Sequence, residues 1–307
     1  MTNQTVKKPI LVLGGTGHYG RHIVRSLVGK GDPVRVLSRN ATIARQVVGD
    51  RPEIIEGDIT SFESVRTSLN GATAIVISVS ALKWKTIRHI DLIERDSVLK
   101  VLEEAPKAGI ERVVYLSGYQ LREDVIEGLK LHQFARTMQE LEAALSKSNL
   151  NWTVLGCAPS MELFFAMLRK GAMMVPGGGP PALPTISPVD VGEIAAQAVL
   201  RDDLRGERFR LTGPEALSFP EAARRISAVT DRPIKFKRMP LTPIKIAAAL
   251  MRPFNPFLQH LFWAIKLMNH FPQDIAAEVP AAHQLLLETF DYVPTTLEME
   301  VRHRSEK

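Results

Sequence analysis

Short apolar runs alternate with amphipathic stretches along the first half of the chain, and each run has the length of a buried strand. Ile10-Leu11-Val12-Leu13, Val34-Arg35-Val36-Leu37-Ser38 and Ile54-Ile55-Glu56-Gly57-Asp58-Ile59 come first. Ala72-Thr73-Ala74-Ile75-Val76-Ile77-Ser78, Arg112-Val113-Val114-Tyr115-Leu116-Ser117 and Asn151-Trp152-Thr153-Val154-Leu155 follow. Strands covered by helices on both faces read as near-continuous apolar runs of this kind. Helical patterns separate them. Ile23, Val24, Leu27 and Val28 share one face, and the spacing predicts helices from about Arg88 to Lys107 and from about Gln133 to Lys147. Such alternation predicts an α/β fold, a doubly wound parallel sheet with right-handed crossovers.

After the sixth run the texture changes. Pro176-Gly177-Gly178-Gly179-Pro180-Pro181 is a loop, and Pro188-Val189-Asp190-Val191-Gly192-Glu193 opens an apolar helix, Ile194 to Leu200. The remaining chain reads as helix with short extended pieces. Residues 1–158 are therefore expected to form one domain and residues 159–307 a smaller, mainly helical C-terminal lobe, with 185–212 returning to the first domain's sheet.

The junction after the first strand carries the sharpest chemical signal. Gly14-Gly15-Thr16-Gly17-His18-Tyr19-Gly20 lies between a strand and a helix. Gly15, Gly17 and Gly20 fit G-x-G-x-x-G, while Gly14, Gly17 and Gly20 fit G-x-x-G-x-x-G. Glycines here allow a tight turn and let backbone N–H groups approach a pyrophosphate at the positive end of the helix. This points to a Rossmann domain holding a nicotinamide dinucleotide, with Thr16, His18 and Tyr19 of the loop in contact. The second strand ends in Arg39-Asn40, with no acid to hold a ribose 2′-OH. A carboxylate would repel a 2′-phosphate, whereas an arginine can pair with one, so the expected cofactor is NADP. Asp58 is placed either to accept from an adenine amino group, beside Ile59, or to cap a helix beginning near Ser61. Ligands of doubly wound sheets sit outside the carboxyl ends of the strands. That rule gathers the glycine loop, Arg39, Asp58, Ser78-Val79-Ser80 and Ser117 into one cleft.

Composition narrows the class. The 307 residues are 45% hydrophobic and include one cysteine, Cys157, so no intrachain disulfide can form and a reducing compartment is expected. The polar start Met1-Thr2-Asn3-Gln4 lacks a signal-peptide pattern, and no apolar stretch has spanning length. A cytoplasmic protein follows, with peripheral membrane contact left open. No Cys/His grouping has metal spacing. The net charge of +6 is local. Between Asp231 and Asp274 there is no acid, but there are Arg232, Lys235, Lys237, Arg238, Lys245, Arg252 and Lys266. Charge elsewhere is nearly balanced, which argues against nucleic acid as a partner.

Taken together, GGTGHYGRHIVRSL, VRVLSRN, EIIEGDI, RVVYLSG, LNWTVLGCAPSMEL, PVDVGEIAAQAVL and FRLTGPEALSFPEAARRIS resemble the NmrA-like branch of the atypical short-chain dehydrogenase/reductases. The resemblance covers residues 10 to about 230. It implies an NADP-binding Rossmann domain with a small substrate lobe, in a family of reductases, redox-sensing regulators and assembly factors. It also exposes departures. The family's proton relay is a Tyr-x-x-x-Lys pair, and the matching positions here are Phe134 and Met138. None of the four tyrosines, at 19, 115, 119 and 292, has a lysine four residues on. Ser117 matches the family's active-site serine, and Gly156-Cys157 replaces an Arg-Pro pair that commonly follows the sixth strand. No catalytic residue is assigned. His132 and Lys130 are weak substitutes, and Cys157 reads as buried and inert.

Two functions remain open. One is an NADP-dependent oxidoreductase working on a small molecule without the Tyr–Lys pair. The other is a dinucleotide-binding sensor, scaffold or assembly factor that docks a protein partner or membrane surface through the basic, apolar segment 232–273. In that segment Ile244–Met251 and Phe257–Met268 read as helices, either interfacial or packed as a lid over the first domain.

Overall fold

A computed structural model describes residues 7–119 and 122–305, apart from the side chains of Gln133 and Phe134. The strands are β1 (Ile10–Leu13), β2 (Val34–Ser38), β3 (Glu53–Glu56), β4 (Ala74–Ile77), β5 (Arg112–Gly118) and β6 (Asn151–Cys157). Later come β7 (Leu168–Arg169), β8 (Ala172–Pro176), β9 (Leu183–Pro184), β10 (Glu207–Leu211), β11 (Ala216–Leu217) and β12 (Lys235–Met239). The central sheet has seven strands in the order β10-β6-β5-β4-β1-β2-β3, every neighbouring pair parallel. This is the doubly wound architecture the alternation implied. The chain reverses direction across the sheet between β1 and β4, the switch point where such sheets open a ligand crevice.

Helices α1 (Gly20–Gly29), α2 (Ala41–Val48), α3 (Phe62–Leu69), α4 (Ser97–Glu104), α5 (Glu123–Gly128), α6 (His132–Ser146), α7 (Glu162–Ala166) and α8 (Pro188–Val199) follow the strands. The pleat sends alternate strand residues to opposite layers. Ile10 and Val12 pack with Ile23, Val24 and Leu27 of α1 and with Val191 and Ile194 of α8. Leu11 and Leu13 pack with Val65 of α3, Val101 of α4 and Leu141 of α6. Each such aliphatic side chain removed from water contributes about 1.5–3 kcal/mol. Gly192 lets α8 approach α1 closely, since a Cβ there would meet His22 at 2.7 Å.

The C-terminal lobe has its own core, centred on Phe164, Met173, Val175 and Phe219. Its helices are α9 (Phe219–Thr230), α10 (Thr242–Met251), α11 (Phe257–Asn269), α12 (Gln273–Ala277), α13 (Val279–Thr289) and α14 (Leu297–Ser305). It holds more strand than expected, because β12-β8-β7 and β11-β9 form two small sheets. The third strand also ends early, at Glu56, and Ile59-Thr60 form a turn closed by Ser61 N–H on Asp58 O at 3.0 Å. The long helix predicted from Arg88 is interrupted: Asp91–Asp96 is a π-helical stretch before α4. Single π-turns inside helices recur at functional sites.

Candidate active site

The glycine loop is shaped by contacts that leave no room for side chains. Gly14 has φ +77°, and a Cβ on it would lie 2.2 Å from the Ser78 carbonyl oxygen at the end of β4. A Cβ on Gly20 would lie 2.0 Å from the Gly14 oxygen, and one on Gly17 2.9 Å from the same atom. Gly17 N–H closes the turn on Gly14 O at 2.8 Å. Gly14, Gly17 and Gly20 are thus the loop's steric triplet, while Gly15 packs on Val36 and Val24. The N-cap of α1, Tyr19, makes no side-chain cap bond, and the first turn holds no acid. The positive helix end therefore faces the crevice with no acid of its own helix against it, which suits an anion. Thr16 is half-buried in the loop. His18 is edge-on to Tyr19, ring centroids 4.7 Å apart, and lies 3.5 Å from Glu162; burial lowers its pKa. The Tyr19 hydroxyl donates to Ala158 O at 3.4 Å, and burial raises its pKa.

On the far side of the crevice, Arg39 is exposed at the end of β2. Asn40 caps α2, accepting from Ile43 N–H at 2.8 Å. Glu56 accepts from Ala41 N–H at 3.2 Å, which places a carboxylate one strand away from Arg39. Asp58 accepts from the Thr60 amide and hydroxyl at 2.9 and 2.8 Å. The reading of Asp58 as a helix cap is corrected, because Ser61 caps α3 through Ser64 N–H. Ile59 lies half-buried against the sheet's core.

Beyond β4 and β5 the crevice deepens into a cavity of about 550 Å³, a size that suits a small organic ligand. Tyr19, Ser78, Val79, Ser80 and Ser117 line it, as do Tyr115, Met138 and Cys157. The α11 residues Leu261, Ala264, Ile265, Leu267 and Met268 roof it, and Lys266 fastens that roof by donating to Leu129 O at 2.8 Å. Met138 carries no proton; the Phe134 side chain lies outside the described residues. His132 and Lys130 are exposed and do not line the cavity. Burial drives the Cys157 thiol up to about 12, so it is neutral at physiological pH. Ser117 is tied up, donating to Glu142 at 2.5 Å while Arg208 pairs with the same carboxylate at 2.9 Å.

The acid that sequence inspection missed is Glu94, the only carboxylate lining the cavity among the described residues. It sits in the π-helical stretch and accepts from Ala81 N–H at 2.5 Å, and burial raises its pKa. Tyr115, on the cavity wall, is also raised by burial and by the nearby Glu94 carboxylate. A signal for Glu94 did exist. It stands four residues before Val98 and seven before Val101, on the apolar face of its helix. Among the described residues no group of three His, Cys, Asp or Glu could hold a metal, and no helix is long and apolar enough to cross a membrane.

Crevice, glycine turn and uncapped helix define a dinucleotide-binding Rossmann protein. The chain belongs to the NAD(P)H-binding family whose model matches residues 14–201. It is 25% identical over 242 residues to an NAD(P)H azoreductase of Xenophilus azovorans, covering 78% of this chain and 79% of that one. It is 24% identical over 257 residues to the photosystem II assembly factor Ycf39 of Synechocystis, covering 81% and 75%. The NADPH complex of the Escherichia coli quinone oxidoreductase QOR2 superposes with a TM-score of 0.73 at 18% identity, covering 96% of this chain and 99% of that one. At that identity the superposition speaks for the fold.

Proposed function

We propose that this protein is an NADPH-dependent reductase of the NmrA-like type, acting on a largely apolar small-molecule acceptor such as a quinone or azo compound. The observation that carries the reading is the cavity: apolar walls that open onto the glycine-loop crevice and contain one half-buried acid, Glu94. Residues 1–158 hold the dinucleotide in this reading, with contacts from Gly14, Thr16, Gly17, His18, Tyr19, Gly20, Arg39, Asp58, Ile59, Ser78, Val79, Ser80 and Ser117. Residues 159–307 cover the acceptor. The fit rests on the Gly14–Gly20 turn, whose missing side chains let the backbone close tightly at the start of α1, and on Arg39, exposed at the end of β2 where it can meet a 2′-phosphate. Bound reduced nicotinamide supplies a hydride, which is the cofactor's own chemistry. The chain's residues exclude water, orient the acceptor and provide a proton. Glu94 is the carboxyl on the cavity wall placed to pass that proton, its pKa raised by burial, and the Tyr115 phenol stands near it.

Purified protein is expected to oxidise NADPH well above background with at least one quinone or azo acceptor. Glu94→Gln is expected to lower kcat while leaving the Kd for NADPH unchanged, and Arg39→Asp to weaken NADPH far more than NADH. Bound NADPH with no turnover across such a panel overturns the reductase reading. It favours a dinucleotide-binding sensor or assembly factor instead. The absent Tyr-x-x-x-Lys pair and the engagement of Ser117 by Glu142 speak for that second reading, and so does the similarity to an assembly factor.

A further inference from the structure

Two features far apart in the chain meet beside the cavity. The turn after β4, Leu82-Lys83-Trp84-Lys85, packs on the turn joining α10 to α11. Trp84 meets Phe257 edge to face, ring centroids 5.8 Å apart, and the Asn255 side-chain amide donates to Trp84 O at 2.9 Å. Next to this junction Ile246, Leu250 and Phe254 recur at four-residue spacing, along one face of α10 and into the turn. They are 55%, 68% and 67% exposed. Side chains of this size standing in water call for a partner when they gather in one patch.

The charge on these two segments has one sign. Lys83, Lys85, Lys245 and Arg252 are exposed on the same two segments. Neither segment holds an acid: none occurs between Glu63 and Asp91, nor between Asp231 and Asp274. Apolar knobs on a convex helix and turn, flanked by Lys and Arg and rimmed by an exposed tryptophan, are the composition of a surface that lies in a membrane interface. Anionic headgroups attract such cations, and their aliphatic stems remain in the apolar layer. The patch also adjoins the cavity mouth. Ser80 and Leu261 both line the cavity and are both exposed. Ser80 is two residues before Leu82, and Leu261 is one helical turn after Phe257.

We propose that this face docks on an anionic lipid bilayer, and that the apolar acceptor passes from the membrane into the cavity between Ser80 and Leu261. The docking stands on the exposed patch alone; the delivery of an acceptor rests on the reductase reading above.

The full-length chain, tested by sedimentation with phosphatidylcholine vesicles containing phosphatidylglycerol, is expected to bind them and to be released by salt. Pure phosphatidylcholine vesicles should retain much less. Leu250→Glu combined with Phe254→Glu should weaken the partition coefficient by about tenfold or more. Lys245→Glu combined with Arg252→Glu should also weaken it by about tenfold or more. Melting temperatures and NADPH affinity, measured on the same samples, should stay at wild-type values. No binding to anionic vesicles overturns the docking, as does binding that both double variants retain. Solution self-association abolished by the Leu250/Phe254 variant, in place of vesicle binding, also overturns it in favour of a second copy of this chain. If vesicles are bound but no acceptor is reduced, the docking stands and the reductase reading fails.

Discussion

One helix offers a test in which the same chemical change acts with opposite sign at its two ends. Gly20 opens α1 and Gly29 closes it. A Cβ on Gly20 would sit 2.0 Å from the Gly14 oxygen and 2.8 Å from both the Gly14 carbonyl carbon and the Gly15 Cα. All three are backbone atoms and cannot rotate aside, so the start of α1 must retreat from the glycine turn by about 1 Å. Overpacking of this kind costs about 1–3 kcal/mol. In a chain of this size each kcal/mol moves the melting temperature by about 2–4 °C, so Gly20→Ala should melt roughly 2–12 °C lower. The binding effect should be larger, since about 1 Å of misplacement in a positioned site costs about a hundredfold. Around Gly29 nothing lies within 4 Å. Alanine there narrows the unfolded ensemble and favours the helix by about 0.5–1 kcal/mol. Calorimetric titration with NADPH and thermal melting of both variants check the pair. A Gly20→Ala protein that binds NADPH and melts like wild type would refute the assignment of this turn as the pyrophosphate cradle.

Other outcomes follow from single side chains. Glu56→Gln should tighten NADPH several-fold and leave NADH nearly unchanged, because a carboxylate then no longer competes with the 2′-phosphate at the Ala41 amide; equal effects on both nucleotides would place the phosphate elsewhere. Asp190, buried at the start of α8, accepts from Thr295 N–H and hydroxyl at 2.9 and 2.5 Å, and burial pushes it up to about 6 from 3.8. A raised folded-state value means its contribution is full below about pH 4 and lost as pH rises through 6, worth about 2–3 kcal/mol. Chemical denaturation of Asp190→Asn should show a flatter stability profile across that interval than wild type, and an unchanged slope counts against the burial argument. Phe164→Ala, at a fully buried position in the lobe core, should lose about 3–5 kcal/mol in denaturant unfolding; a loss under 1 kcal/mol would show that the lobe core tolerates the hole.

Much of the first domain was legible because its rules are local. Ile10 to Leu13 and Val34 to Leu37 are apolar at every or nearly every position, which only a strand covered on both faces requires, and the parallel seven-stranded sheet supplies those two faces. The glycine turn announced itself in the same way, by residues that only a backbone-to-backbone approach makes necessary. Which glycines touch was not legible, since Gly15 and Gly14 satisfy alternative spacings; the Ser78 carbonyl, 64 residues beyond Gly14, separates them. Glu94 was passed over because one acid in a helical pattern usually faces water. Its significance depends on the π-turn and on Ala81 and Tyr115 arriving beside it from other elements.

The chain's own order of residues determined the fold class, the dinucleotide turn and the loss of the Tyr–Lys proton relay, because each is a matter of residue type at short spacing. Only tertiary packing decided that Ser117 is engaged by Glu142, itself paired with Arg208, that Glu94 rather than a tyrosine–lysine pair stands in the cavity, and that the Trp84 turn joins the acid-free helices at its mouth. Those are meetings between segments tens to well over a hundred residues apart, and no local periodicity encodes which distant side chains the winding of a sheet will bring together.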